Sequence, residues 1–173
     1  MAFLIPVLVV LVVSLSVQTD AQENDIINVL EAVMAFDEAV AIYSTINDPN
    51  QKCLKTERDS LDYEAKTANF TWYYQGGGDS PTTKCFYNLM NGTDPAVFYI
   101  ASCDDTSNLE EAKELYSDGA TCFVGHFPPV TGDQCMLWVH PASKDAIPPK
   151  CEEKFDEKCG GEKYELYDES SCQ

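Results

Sequence analysis

Hydrophobic and polar positions along this chain fall into three regimes. An apolar run from Val7 to Val17 comes first. Ile26, Leu30, Val33 and Met34 then recur at the spacing of one helix face, with Val29 beside them. That periodicity predicts a short amphipathic helix from about Asn24 to Asp37, with Asn24 able to cap it and the apolar stripe packed on a core. After Glu38 the period changes to two. Short runs rich in Val, Ile, Thr, Tyr and Phe alternate with turn residues, the pattern of half-buried strands.

The strands predicted in this way are Ala39–Ile46, Asn50–Thr56, Asp62–Tyr74, Thr82–Met90, Pro95–Ser102, Ala112–Ser117, Ala120–Phe127 and Gln134–Val139. Between them lie Asn47-Asp48-Pro49, Gly76-Gly77-Gly78-Asp79, Asn91-Gly92, Asp118-Gly119 and Thr131-Gly132-Asp133. Asn91-Gly92 and Asp118-Gly119 read as tight hairpins, because both supply the positive φ of a type I′ turn. Ala112–Ser117 is the least regular, and Glu110–Tyr116 could equally form a helical turn. About eight antiparallel strands joined by short turns make a closed up-and-down barrel or a sandwich. Pro148-Pro149 ends the strand pattern. Lys150–Lys158 reads as a helix, with Cys151, Phe155 and Cys159 one turn apart, and a tail with Tyr164, Tyr167 and Cys172 closes the chain. No repeat or linker divides it.

Alternation also assigns faces. If Asn69 carries a glycan it points outward with Thr71, so Phe70, Trp72 and Tyr74 point inward. Phe123, Gly125 and Phe127 share one face of their strand. Met136, Trp138 and His140 share one face of the last strand, opposite Cys135, Leu137 and Val139. A barrel of this size holds either packed side chains or one small ligand. Inward aromatics fit a pocket and a filled core alike.

Composition narrows the setting. The apolar run at the start, followed by Thr19-Asp20-Ala21, has the form of a secretory leader cleaved after Ala21, and it is short for a membrane span. The rest, residues 22–173, is about 150 residues and suits one domain. Eight cysteines in a secreted chain imply four disulfides, though eight permit roughly a hundred pairings. The sequons Asn69-Phe70-Thr71 and Asn91-Gly92-Thr93 make Asn69 and Asn91 candidate glycan sites. Asp and Glu number 29 against 11 Lys and Arg, which opposes nucleic-acid binding. Most simply, that charge is a solvated surface. No metal cluster, phosphate loop or nucleophile elbow is present in the sequence, and His126 and His140 lack a Ser or Cys partner at a catalytic spacing. Neither an enzyme nor a cofactor is expected.

Several short motifs then resemble the tick salivary lipocalins of the histamine-binding family. That family carries C-D-[VIL], then E-L-[WY], then Cys; here Cys122-Phe123-Val124, Met136-Leu137-Trp138 and Cys151 stand in that order. Tyr116-Ser117-Asp118 resembles the lead-in to the first cysteine. Glu31-Ala32-Val33 resembles an acidic-Ala-aromatic helix motif, with Tyr43 following. Cys151 through Cys159-Gly160 to Cys172 resembles the closing helix and tail. The resemblance implies an all-β fold: a lipocalin-like eight-stranded antiparallel up-and-down barrel with short N-terminal and C-terminal helices. It implies disulfides Cys122–Cys151 and Cys53–Cys172. The other four cysteines stay open; in one arrangement Cys85 and Cys103 flank a hairpin, which leaves Cys135 with Cys159.

The departures from the family pattern bear on the ligand. Amine-binding members place carboxylates inward at the second residue of the first motif and the first of the second. Those positions are Phe123 and Met136 here. A buried ammonium needs a charged partner, so a lining of Phe123, Phe127, Met136 and Trp138 suits an apolar or flat ligand. Glu31, Tyr43 and Asp118 match family positions and keep an amine site open, with Trp138 offering a cation–π face. For Glu31 and Asp118 the plain alternative is exposure, on a helix surface and in a turn. The function implied is a secreted, monomeric salivary protein that sequesters a small host mediator: an amine such as histamine or serotonin, or a lipid such as a leukotriene. A second possibility is a binder of a host protein such as a complement component.

Overall fold

The computed structural model describes residues 28–76 and 81–172. The expected leader, the Asn24 cap and most of the glycine run lie outside them. The first element is helix α1, Val29–Ala35. Nine strands follow: β1 Glu38–Ser44, β2 Lys55–Asp62, β3 Thr67–Tyr74, β4 Thr82–Leu89, β5 Val97–Ser102, β6 Asp105–Ser117, β7 Cys122–Phe127, β8 Gln134–Val139 and β9 Tyr164–Glu165. Helix α2, Pro149–Cys159, lies between β8 and β9.

Each strand from β2 to β7 pairs antiparallel with the next, and β1 pairs with both β8 and β2. The result is a closed eight-stranded barrel, to which β9 adds a short edge on β1. Two layers pack on the wall. Inside, Trp72, Phe86, Phe127, Met136 and Trp138 belong to one core cluster. Outside, α2 lays Cys151 and Phe155 over Val124, Leu137 and Val139. Pro149 at the first helical position starts α2 without losing a needed N–H.

Four disulfides staple this frame: Cys53–Cys172, Cys85–Cys103, Cys122–Cys151 and Cys135–Cys159. Two fasten α2 to β7 and β8, one closes the β4–β5 pair, and one ties the tail to the segment before β2.

Several boundaries differ from the sequence reading. Asn50 sits in a 3₁₀ turn, Pro49–Gln51, and β2 begins at Lys55. The expected strand Asp62–Tyr74 is split by a turn at Tyr63–Lys66, where Lys66 takes φ 53°. β2 is mostly half-buried and carries charge on both faces, so it shows little apolar alternation. β6 is a thirteen-residue strand rather than a short strand or a helical turn. Asn91-Gly92 lies in a longer connection between Leu89 and Val97, so it is no two-residue hairpin. At Asp118-Gly119 only the glycine takes positive φ, 71°. Asp118 Oδ1 there accepts from the backbone N–H groups of Ala120, Thr121 and Cys122. Asn91 is exposed, and Asn69 is half-buried in β3.

Two bulges decide which residues face the interior. In β1 the register against β8 shifts between Ala41 and Tyr43. Ala39 and Ala41 point inside, while Ile42 and Tyr43 both join the outer layer. In β6 the register against β7 shifts between Glu114 and Tyr116. Ala112 belongs to the inner cluster and Glu114 lines the cavity within it, while Tyr116 packs under α2. One added residue reverses the alternation downstream.

Candidate functional site

The barrel interior divides along its axis. At one end lie the β2–β3, β4–β5 and β6–β7 turns, where α1 is anchored by the Val29 N–H donating to Pro95 O at 2.9 Å. Beneath α1 is a cavity of about 70 Å³. Val29, Ala32, Val33 and Phe36 roof the cavity, and Phe70, Trp72, Phe98, Ile100, Phe123, Phe127 and Trp138 form most of its wall. The floor is a set of edge-to-face rings: Trp72 lies 4.9 Å from Phe86, 5.0 Å from Trp138 and 5.6 Å from Phe127 between centroids. Gly125 gives the Phe127 ring its place, since a Cβ there would stand 3.0 Å from it.

Few polar groups reach this space. Thr56 Oγ1 donates to Thr71 O, and Asn88 Nδ2 donates to Phe86 O. Among the described residues, two of these groups have no partner. Both carboxylate oxygens of Glu114 are buried without a hydrogen bond, and so is the Trp138 indole N–H. Glu114 is 2 % exposed. Burial pushes its carboxyl up to about 8, and the nearby Glu31 carboxylate adds to the effect. A buried acid with no partner is costly, and its position in an apolar cavity makes it a candidate ligand contact.

The residues expected at the site separate into three groups. Phe70, Trp72, Phe123, Phe127 and Trp138 line the cavity. Tyr74 and Met136 lie inside the barrel but pack in the core beyond it. The other three are elsewhere. Glu31 stands exposed on α1 and accepts from Asn28 Nδ2 at 2.9 Å. Tyr43 is turned outward by the β1 bulge; its ring lies 5.8 Å from that of Phe155, and its hydroxyl donates to Glu152 at 2.7 Å. Asp118 caps its turn. Burial opposes its charge, yet the Thr121 hydroxyl and three backbone N–H groups hold its carboxyl below the usual range. Asp118, Cys122 and Cys151 cluster closely enough for a metal ion, but the two sulfurs are bonded to each other.

Glu114 was not anticipated from sequence. The signal was present: counting by twos from Ala112 puts Glu110 and Glu114 on its face. It was hidden because β6 read as irregular and its acids as surface charge.

A closed antiparallel barrel with an outer helix on one flank and a lined internal cavity is the architecture of a lipocalin. The profile of the tick histamine binding protein family matches residues 16–173, and the chain belongs to that family. Japanin from Rhipicephalus appendiculatus, solved bound to cholesterol, is similar in fold: TM-score 0.58 at 14 % identity, covering 78 % of this chain and 94 % of that one. Lobster apocrustacyanin A1 aligns with TM-score 0.55 at 17 % identity over 78 % of each chain. Apocrustacyanin C1 gives 0.54 at 17 % identity over the same shares. No curated protein matches the chain. Family and fold define a ligand-binding carrier, and with the four disulfides they are consistent with secretion.

Proposed function

We propose that this protein is secreted in tick saliva and sequesters a small host mediator in the cavity beneath α1, blunting inflammation or haemostasis. The ligand class we favour is a biogenic amine such as histamine or serotonin. The observation that carries this reading is Glu114, a carboxyl with both oxygens buried and unpartnered in an apolar cavity. An ammonium beside it would satisfy both oxygens and restore the charged form. The ligand's ring or alkyl body would lie among Phe123, Phe127, Trp72 and Trp138. The unpartnered Trp138 N–H would donate to a lone pair on a ligand nitrogen or oxygen. The charge that Phe123 and Met136 no longer supply is thus supplied from a different strand.

A second reading has its own support. With its carboxyl raised to about 8 by burial, Glu114 is a neutral acid near pH 7. A neutral acid can donate to the hydroxyl or carbonyl of a lipid. Calorimetric titration of wild type and Glu114→Gln with histamine, serotonin, cholesterol and leukotriene C4 separates the two. For an amine, Glu114→Gln should weaken binding about 100-fold or more, because truncating a buried charge pair costs several kcal/mol. Amine binding to wild type should also release a proton, read from its dependence on buffer ionisation heat. Lipid binding that survives Glu114→Gln, with no amine bound by wild type, would replace the amine reading with the lipid one.

A further inference from the structure

We propose that the outer wall of the barrel formed by β3, β4 and β5 is covered by an N-linked glycan on Asn69, whose first sugar packs on the ring of Tyr87. The sequon Asn69-Phe70-Thr71 lies in mid-strand, and the ladder alone turns Asn69 outward. Its neighbours Ala68 and Phe70 pack in the inner cluster. The register of β3 against β4 is unbroken from Thr67 to Tyr74, so the pleat sends Asn69 and Thr71 to the outside. That outside is bare. α2 packs on β6, β7 and β8, and α1 roofs the cavity, which leaves the outer face of β3–β5 without a helix among the described residues.

Directly across from Asn69 on β4 stands Tyr87, and across from Tyr87 on β5 stands Ala101. In the next row Leu89 faces Tyr99. Opposed side chains of an antiparallel pair start about 5 Å apart at Cβ, within reach of a sugar on Asn69 Nδ2. Tyr87 and Tyr99 are half-buried. Their side chains make no hydrogen bond, ring contact or cation contact among the described residues, and the Asn69 carboxamide makes no hydrogen bond either. Two unpaired rings and a leucine around one sequon asparagine form an apolar patch that a pyranose fits. The C–H face of the sugar carries partial positive charge and suits the negative face of an aromatic ring, while its hydroxyls stay in water. The modification draws on a lipid-diphosphate-linked oligosaccharide. The bond from sugar C1 to the diphosphate oxygen breaks, the bond from C1 to Asn69 Nδ2 forms, and the lipid diphosphate leaves with the proton lost from Nδ2. It belongs to the chain before β3 pairs, because in the fold Thr71 Oγ1 donates to Asp59 Oδ2 at 2.7 Å. Asn91 is exposed and lies outside the strand ladder, so a glycan there would stand in solvent.

The full chain secreted from insect cells tests this without any ligand. Peptide mapping after enzymatic glycan release in heavy-oxygen water should find Asn69 converted to labelled aspartate. Thr71→Val should abolish the label, and Thr71→Ser should keep it. Packing is read on the native protein. Peptide N-glycosidase should strip the Asn69 glycan several-fold faster from Tyr87→Thr, which keeps a good strand former in place, while Tyr87→Phe should match wild type. In urea, Asn69→Gln should lower the folded-to-unfolded ratio about ten-fold in the wild-type background and little in Tyr87→Thr, as coupled neighbours do. Nuclear Overhauser contacts between the first sugar and the Tyr87 ring give the same answer with no substitution at all. Unmodified Asn69 in the secreted protein would overturn the proposal. So would a glycan with no contact to the Tyr87 ring, or one whose release and stabilisation ignore residue 87. No arm reads amine binding, so failure here is distinct from failure of the amine reading.

Discussion

The two ends of the barrel interior are built from the same strands yet treat their polar groups in opposite ways. At the end carrying the tail disulfide, Ser44, Thr131 and Gln134 are buried and bonded to one another or to backbone. Gln51 Oε1 is the exception there. At the α1 end, Glu114 and the Trp138 N–H face a cavity with nothing to bond. Protein interiors rarely leave such groups alone. Where the chain satisfies its own polar atoms, the interior is structure. Where it leaves them open beside empty volume, the interior is prepared for something else.

The largest effect should come from unstapling the end that carries the tail disulfide. Replacing Cys53 and Cys172 together with alanine releases a loop of 119 residues' separation and should cost about 5 kcal/mol on the chain-entropy estimate. Urea unfolding would measure it. Amine affinity of the protein that remains folded should hardly change, because the cavity lies at the other end; a parallel loss of affinity would break the distinction between the two.

A somewhat smaller effect concerns Glu114 and pH. Its folded-state carboxyl is raised to about 8 from 4.5, so between these values the folded chain binds more protons than the unfolded one. Stability contributed by the neutral acid is full below about pH 4.5 and lost as pH rises toward 8. The loss should be roughly 3 kcal/mol for a shift of this direction and size, given that 1.36 kcal/mol accompanies each tenfold change in ionisation. Urea titrations at pH 5 and pH 8 should show it in wild type and not in Glu114→Leu. A saturating amine should flatten the same slope. If Glu114→Leu keeps the wild-type slope, the open polar group is not where the structure puts it.

Smaller still, Ser44→Ala should cost about 1–2 kcal/mol by stranding the Gln134 amide oxygen. Asp118→Ala should cost about 1 kcal/mol through loss of its turn bonds, and it should leave amine binding intact. A binding defect in Asp118→Ala would return that carboxylate to the pocket.

Much of this was legible in sequence, for reasons that differ by element. The inward faces of β3, β7 and β8 could be read because Trp72, Phe123, Phe127 and Trp138 alternate cleanly with outward residues in unbroken register. α2 announced itself through Pro149 and its one-turn spacing. β2 was misplaced because Lys55–Asp62 carries charge on both faces and offers no apolar face to count. Tyr43 and Glu114 were missed for different reasons. Tyr43 was placed by resemblance, and the bulge at Ala41–Tyr43 turns it outward. Glu114 obeys the alternation from Ala112, ahead of the bulge at Glu114–Tyr116, and was passed over because its strand read as irregular. A bulge leaves no signature in the identity of its residues here, since Ile42 and Leu115 are ordinary strand formers.

Those bulges act on a strand as a frameshift acts on a message. Upstream of Leu115, β6 is read by the cavity; downstream, the same strand is read by α2. One strand therefore addresses two audiences, and what each receives can be edited separately. The disulfide-bound exterior can stay fixed while the pocket's charge moves from β7 and β8 to β6. A fold with such a break in its reading frame can change what it holds without changing how it stands.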